Sequence, residues 1–166
     1  GGYYNNWDFD RNLVESYLQA ASASGINAME LGFRLLPKPF FVGAYGYTTD
    51  RFLEGLNIPQ GLIPAVMINA SDFLKAADGA DATIRRIFAP RVKSRLRLVR
   101  VAAHVADVEK CGPIVETLKD LGYSTTINIM QSNTCSKQRL GELVRAAENF
   151  KAVDIQYFAD SLGNMD

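Results

Sequence analysis

Leu96-Arg97-Leu98-Val99-Arg100-Val101-Ala102-Ala103-His104 is followed by a segment from Val108 to Leu121, then Gly122, then Tyr123-Ser124-Thr125-Thr126-Ile127-Asn128-Ile129-Met130. The outer two stretches are apolar runs of strand length, rich in β-branched residues. The segment between them reads as a helix, and Gly122 is where such a helix stops. A strand, a helix and a second strand in this compass make a parallel pair joined by a helical crossover.

The same unit recurs on both sides. Towards the C-terminus, Ser136 to Phe150 reads as a helix with Leu140, Leu143, Val144 and Ala147 on its apolar face, and Val153 to Asp160 as a further strand. Towards the N-terminus, Leu62 to Asn69 is a strand whose Pro64 lies near its start, where the ladder tolerates proline. Ser71 or Asp72 can cap a short helix after it, and a second helical stretch covers about Asp81 to Ala89. Ile26 to Phe33 is another buried strand. A long connection follows it, with Pro37, Pro39, Gly43 and Gly46, and holds a short helix near Thr49 to Leu56 that Thr48 or Thr49 can cap. Asp8 and Asp10 can cap a helix from Asp10 to Ser24, whose Leu13, Val14, Tyr17, Leu18 and Ala21 recur at helical spacing before Gly25.

Strands therefore begin near residues 26, 62, 96, 123 and 153, with helices between them. This α/β alternation of near-continuous apolar strands gives a parallel sheet. No glycine-rich phosphate fingerprint follows any strand, which favours a TIM (β/α)8 barrel over a nucleotide-binding doubly wound sheet. A complete barrel takes ~250 residues. Residues 1–166 are accordingly expected to be a single partial barrel, about strands one or two to six, cut at both ends.

Bulk properties narrow the function. Of 166 residues, 48% are hydrophobic and 22% charged, an ordinary globular balance. Lys and Arg number 18 and Asp and Glu 18, so no basic field draws nucleic acid or an anionic membrane surface. No apolar run approaches the ~20 residues of a membrane-spanning helix. Cys111 and Cys135 lack metal-site spacing and suit a reducing, cytoplasmic setting. His104 is the single histidine, so no His-x-His metal pair exists within the chain and no metal ligand is assigned to it.

In a barrel the chemistry gathers at the C-terminal ends of the strands. Those ends carry Glu30 with Arg34, Asn69, His104, Asn128 with Gln131, and Asp160 with Ser161. Each alone has a structural reading: Glu30 can pair with Arg100 inside the barrel, Asn69 and Asp160 can cap or turn, and His104 can be a satisfied core histidine. As a set, five apolar strands ending in ionisable or amide groups lean towards function. Side chains alternate along a strand, so Arg100, Ala102 and His104 share one face. On the next strand Thr126, Asn128 and Met130 share a face opposite Ile127, Ile129 and Gln131; which of the two points inward is open. No strand ends in the lysine a Schiff-base aldolase needs. No Gly-x-Ser-x-Gly elbow supports a triad of Ser161, His104 and Asp160. Cys111 opens a helix, where a thiol can be mildly acidic, although the inert reading is favoured.

The chain opens with Gly1-Gly2-Tyr3-Tyr4-Asn5-Asn6-Trp7-Asp8-Phe9, read as the top of a strand leading into a loop and a helix. Tyr4 and Asn5 offer a hydroxyl and an amide there. This stretch, with Glu30-Leu31-Gly32-Phe33-Arg34, Asn128-Ile129-Met130-Gln131 and Ala159-Asp160-Ser161-Leu162-Gly163, resembles the aldolase branch of the HMG-CoA lyase-like superfamily, related to 4-hydroxy-2-oxovalerate aldolase. The resemblance implies a metal-dependent TIM-barrel enzyme that makes or breaks a carbon–carbon bond next to a 2-keto acid through an enolate. It implies a divalent metal, Mn or Mg, whose ligands are expected outside this chain: an Arg-Asp pair before Gly1 and a His-x-His motif beyond Asp166. Glu30 matches the acidic residue of the family's second strand. Asp160-Ser161 matches an Asp-Thr or Asp-Ser pair whose hydroxyl holds substrate carboxylate. The groups expected to face a keto-acid substrate are Tyr4, Asn5, Glu30, Arg34 (for carboxylate), Asn128, Gln131, Asp160 and Ser161, with His104 as the acid–base residue. Three alternatives stay open: an acyl-CoA-using synthase of the same superfamily, a sugar-phosphate barrel enzyme, and a non-catalytic barrel fragment used for binding. Self-association into a homo-oligomer is open as well.

Overall fold

The computed structural model describes residues 2–160 and residue 163. Among these residues five strands form one sheet: β1 (Ala28–Phe33), β2 (Ile63–Asn69), β3 (Leu98–His104), β4 (Ser124–Met130) and β5 (Ile155–Ala159). Their spatial order is their chain order, β1-β2-β3-β4-β5, and every neighbouring pair is parallel. A doubly wound sheet reverses its strand order at a switch point. Here nothing reverses, so the sheet winds one way, as a (β/α) barrel wall does. Among the described residues it is open, with β1 and β5 at its two edges.

Among the described residues seven helices accompany it: α1 (Arg11–Ala23), α2 (Ala44–Tyr47), α3 (Asp50–Glu54), α4 (Ala70–Leu74), α5 (Ala80–Ile87), α6 (Gly112–Asp120) and α7 (Lys137–Asn149). Two start on caps the sequence offers: Asp10 accepts from the Leu13 N–H at 2.9 Å and Thr49 from the Phe52 N–H at 3.2 Å. α7 starts on Ser136, which accepts from the Arg139 N–H at 3.2 Å. Two expectations are corrected. Neither Ser71 nor Asp72 caps α4, because the helix starts straight off β2, with Asn69 in the cap position and no side-chain bond from it. The single helix expected from Val108 is a 3-10 turn (Val108–Lys110) followed by α6, since Pro113 fits only the first turn of a helix and forces a fresh start there. α2 lies in the same glycine-containing connection, ahead of the short helix expected there, and no sequence signal marks it.

The sheet has two unlike faces. Val66, Ile68, Val99, Val101, Ala103, Ile127 and Ile129 project to one side and are buried against the helices in the main core. A fully buried side chain of this type contributes roughly 1.5–3 kcal/mol. On the other face, turned away from that core and called the inner face below, the register aligns Met67 with Arg100 and Thr126, Ala102 with Asn128 and Tyr157, and His104 with Met130. This settles the open choice on β4: Thr126, Asn128 and Met130 point inward. Phe33, Met67 and Ala102 form a small second core there, with Trp7, Leu35 and Met130 packed on it.

β1 carries an irregularity that matters for the site. Glu30 pairs with Ala65, but Phe33 pairs with Met67, so three steps on β1 meet two on β2. The bulge is at Gly32, with φ of 152° and the Tyr45 carbonyl close above it. It brings Glu30 and Phe33 to the same, inward face and turns Arg34 outward.

Candidate functional site

The inner face is polar through its middle. Glu30 and Arg100 form a two-pronged ion pair that spans β2: Arg100 Nε donates to Oε2 at 2.5 Å and Nη2 to Oε1 at 2.6 Å. Ala65, in register with Glu30, is small enough to let the pair close over it. Tyr157 of β5, in register with Asn128, has its hydroxyl within electrostatic reach of the same guanidinium. Thr126 and Asn128 are buried beside it, yet Thr126 Oγ1 and Asn128 Oδ1 have no hydrogen-bond partner. Buried polar atoms are nearly always paired, so two orphans on one face of the sheet are informative.

His104 stands at the C-terminal end of β3, exposed at the mouth. It is therefore not a satisfied core histidine. Asn69 ends β2 on the same rim, half-buried. Gln131 follows β4 in the left-handed region, φ 55°, and its carbonyl accepts from the Thr134 N–H and hydroxyl at 3.0 and 2.7 Å. Asp160 follows β5, half-buried. Ser161 lies outside the described residues, as does Gly1.

The opening stretch forms a rim. Gly2–Tyr4 is a 3-10 turn and not strand. Asn6 and Trp7 both take left-handed backbone, φ 54° and 62°, a costly arrangement for tryptophan. Asn5 holds it: its Nδ2 donates to the Asp8 carbonyl at 2.8 Å and its Oδ1 accepts from the Trp7 N–H at 3.2 Å. The Trp7 ring meets Phe33 edge-on at 4.9 Å and Tyr3 at 5.4 Å, over the small inner core. Gly2 must be glycine because any side chain would enter the Trp7 ring. Asn5 is thus engaged in local structure, whereas Tyr4 is 95% exposed.

Arg34 is not where a substrate could meet it. Its side chain is 3% exposed on the helix side of the sheet, where Nη1 donates to Asp50 at 3.2 Å and to the Ile87 carbonyl at 2.8 Å, and Nη2 to Asp50 at 3.3 Å. Its guanidinium carbon sits 4.9 Å from the Phe88 ring centre. The expected carboxylate role is corrected for a physical reason: the Gly32 bulge reverses the alternation, so Arg34 leaves the face that Glu30 keeps.

The strand ends alone do not single out Tyr157 or Thr126, and the sequence offers Arg100 only as a partner for Glu30. Counting back in steps of two from Ala159 and Met130 reaches Tyr157 and Thr126. The signal was in the sequence once the inward face of each strand is fixed.

Concavity and chemistry do not coincide. A cavity of about 940 Å³ opens at the opposite, N-terminal ends of the strands. Its Arg95 is tied to the Leu53 and Leu56 carbonyls, and its Arg97 to those of Ser94 and Leu96. That end of a barrel serves stability, and the inner-face polar groups weigh more than the volume.

No protein-family model matches the chain, and no curated protein matches it. Its backbone does match a solved structure, the crystal structure of the N-terminal domain of a "putative aldolase" from Bacteroides vulgatus, with a TM-score of 0.84 and 24% identity. The likeness is one of fold. It covers 99% of this chain and 52% of the other, so the chain spans about half the length of the solved chain it matches. No helix among the described residues is long and apolar enough to cross a membrane.

Proposed function

We propose that the chain is part of an aldolase-type barrel enzyme that breaks or makes the carbon–carbon bond next to a 2-keto acid, with 4-hydroxy-2-keto acids as the substrate class. The observation that carries this reading is the convergence of His104, Asn69, Asn128 and the Glu30–Arg100 pair on the inner face of a one-way parallel sheet. The fold shared with the N-terminal domain of a "putative aldolase" supports it.

In the cleavage direction, a base takes the proton from the C4 hydroxyl and the C4–O bond becomes a carbonyl. The C3–C4 electron pair passes into an enolate at C2–C3, which then takes a proton at C3. His104, exposed at the rim, is the group to move the hydroxyl proton, since imidazole exchanges protons near neutral pH. The Asn128 amide, buried and short of a partner, orients the substrate's oxygens. Tyr4, Gln131, Asp160 and Ser161 belong to the rim of the same mouth in this reading, with Ser161 towards carboxylate. A divalent metal, Mn or Mg, enters by family resemblance and would stabilise the enolate. Among the described residues no three His, Cys, Asp or Glu side chains group to hold one, so the residues present do not make its site and no step here runs through it. The domain is a single partial barrel over residues 1–166, working on a small keto acid in the cytoplasm.

The test is aldol cleavage by the complete protein across a panel of 4-hydroxy-2-keto acids, with and without added Mn, following pyruvate release. Cleavage of none of them rejects the proposal in favour of a binding domain. His104→Gln should lower kcat by at least about a hundredfold, the usual weight of a general acid–base group; unchanged turnover removes His104 from the reaction.

A further inference from the structure

The strand-end positions do not account for the polar layer beneath the mouth. Arg100 has five N–H donors and Glu30 takes two of them. The Tyr157 hydroxyl on β5 is within electrostatic reach of the guanidinium. Thr126 is in register with Arg100, and Asn128 with Tyr157, so these four residues of three neighbouring strands share one patch. Ala102, in register with Asn128, adds only a methyl group to it. Thr126 and Asn128 are 3% and 4% exposed, and each keeps an oxygen without a partner. Spare guanidinium donors therefore lie beside two orphaned buried oxygens, of which the Thr126 hydroxyl can donate or accept and the Asn128 amide oxygen can only accept.

We infer that Arg100, Tyr157, Asn128 and Thr126 form a carboxylate subsite on the inner wall, with Glu30 as its resident counter-ion, and that it takes the carboxylate end of a 2-keto or 2-hydroxy acid. The inference rests on the inner face being the substrate cleft. Arg100 supplies the planar fork that matches a carboxylate. The Tyr157 and Thr126 hydroxyls and the Asn128 amide reach the oxygen on the adjacent carbon, donating to a keto group or accepting from a hydroxyl. Glu30 keeps the guanidinium in place while the cleft is empty and competes for it when an anion arrives. Arg100 thereby takes the role that the sequence offered to Arg34.

Competition makes a prediction that a purely structural ion pair does not. Pyruvate titrated into the complete protein by calorimetry, with and without Mn, is the probe. Glu30→Gln should bind pyruvate about three- to tenfold more tightly than wild type, because a competing anion is gone. Tyr157→Phe should weaken it about three- to tenfold. The double variant Glu30→Met with Arg100→Met, which strands no buried charge, should weaken it at least tenfold while circular dichroism and Tm show a folded protein. Wild type that fails to bind millimolar pyruvate overturns the subsite, as does a Glu30→Gln protein that binds no better than wild type. If the double variant does not fold, Glu30→Gln and Tyr157→Phe decide. Pyruvate binding that depends on these residues without any aldol cleavage keeps the subsite and rejects the aldolase reading; cleavage with an unchanged KM in the double variant does the reverse.

Discussion

Asp50 accepts three side-chain hydrogen bonds at once: from Arg34 at 3.2 and 3.3 Å, and from the Ser94 hydroxyl at 2.5 Å. Burial would raise its carboxyl pKa, but the bonds from Arg34 and Ser94 outweigh that and hold it below the ordinary 3.8. A carboxylate depressed in the folded state stabilises above its unfolded pKa, and that contribution is lost as pH falls through the lower folded value. Asp50→Asn leaves the Arg34 guanidinium buried without its counter-ion, a loss of about 3 kcal/mol at pH 7 by the usual cost of breaking such pairs. That corresponds to a Tm lower by about 6–12 °C for a chain of this size. The gap between wild type and variant should close below about pH 4, which urea melts across pH would show; a gap constant down to pH 2 would refute the account. The cysteines make a second test at this scale. Burial pushes the Cys111 thiol up to about 12, and its Sγ is turned to the Asp107 carbonyl at 3.3 Å. The helix N-terminus that could have acidified it does not prevail over desolvation. Of the two, Cys135 should react with a maleimide in the native protein at pH 8, and Cys111 only after denaturant is added, as peptide mass mapping would read.

The elements themselves were legible, because a strand buried on both faces writes itself as a continuous apolar run and a helix by its 3.6-residue recurrence. All five strands fall within the stretches read for them, each a residue or more shorter at its N-terminal end. What the run conceals is which way each residue faces. Val99, Val101 and Ala103 are as apolar as the inward Ala102, and only the register against β2 and β4 separates them. Gly32 concealed more, since a bulge has no signature beyond an isolated glycine in a strand. Period-two counting carries Arg34 to the face of Glu30; one extra residue carries it to the helices. Gly32→Ala tests how firmly that device is built. The added methyl would meet the Tyr45 carbonyl and stand 3.1 Å from Thr48 Oγ1, at a φ of 152° that L-residues rarely adopt. A loss of about 2–4 kcal/mol follows from strain and overpacking together. Thermal melts should show a Tm lower by roughly 4–16 °C. A variant as stable as wild type would mean that the bulge is soft and Arg34 free to move.

At the scale of the whole molecule, the sheet's two edges decide how this chain behaves by itself. β5 carries Ile155 at 53% and Phe158 at 44% exposure, and large apolar groups beside the other edge, Leu13 and Tyr17 on α1, are 65% and 63% exposed. Next to β1 a groove of about 400 Å³ is lined by Trp7, Phe9, Val14 and Met29. A parallel sheet is ordinarily covered on both faces, and an edge with unpaired N–H and C=O groups pairs with whatever strand it meets. The buried middle and the open flanks therefore pull in opposite directions. The core from β2 to β4 is packed well enough to fold, while the flanks present apolar surface and free hydrogen-bonding groups to a neighbour. The 166-residue chain alone should associate in a concentration-dependent way, visible in sedimentation velocity over a tenfold range. Phe158→Lys, which places a charge on the helix-facing side of the β5 edge, should shift that equilibrium towards monomer. Unfolding should be unaffected, since no packing is removed from the main core. A chain that stays monomeric across the range and unfolds in one cooperative step would mean that five strands close their own edges better than this geometry allows.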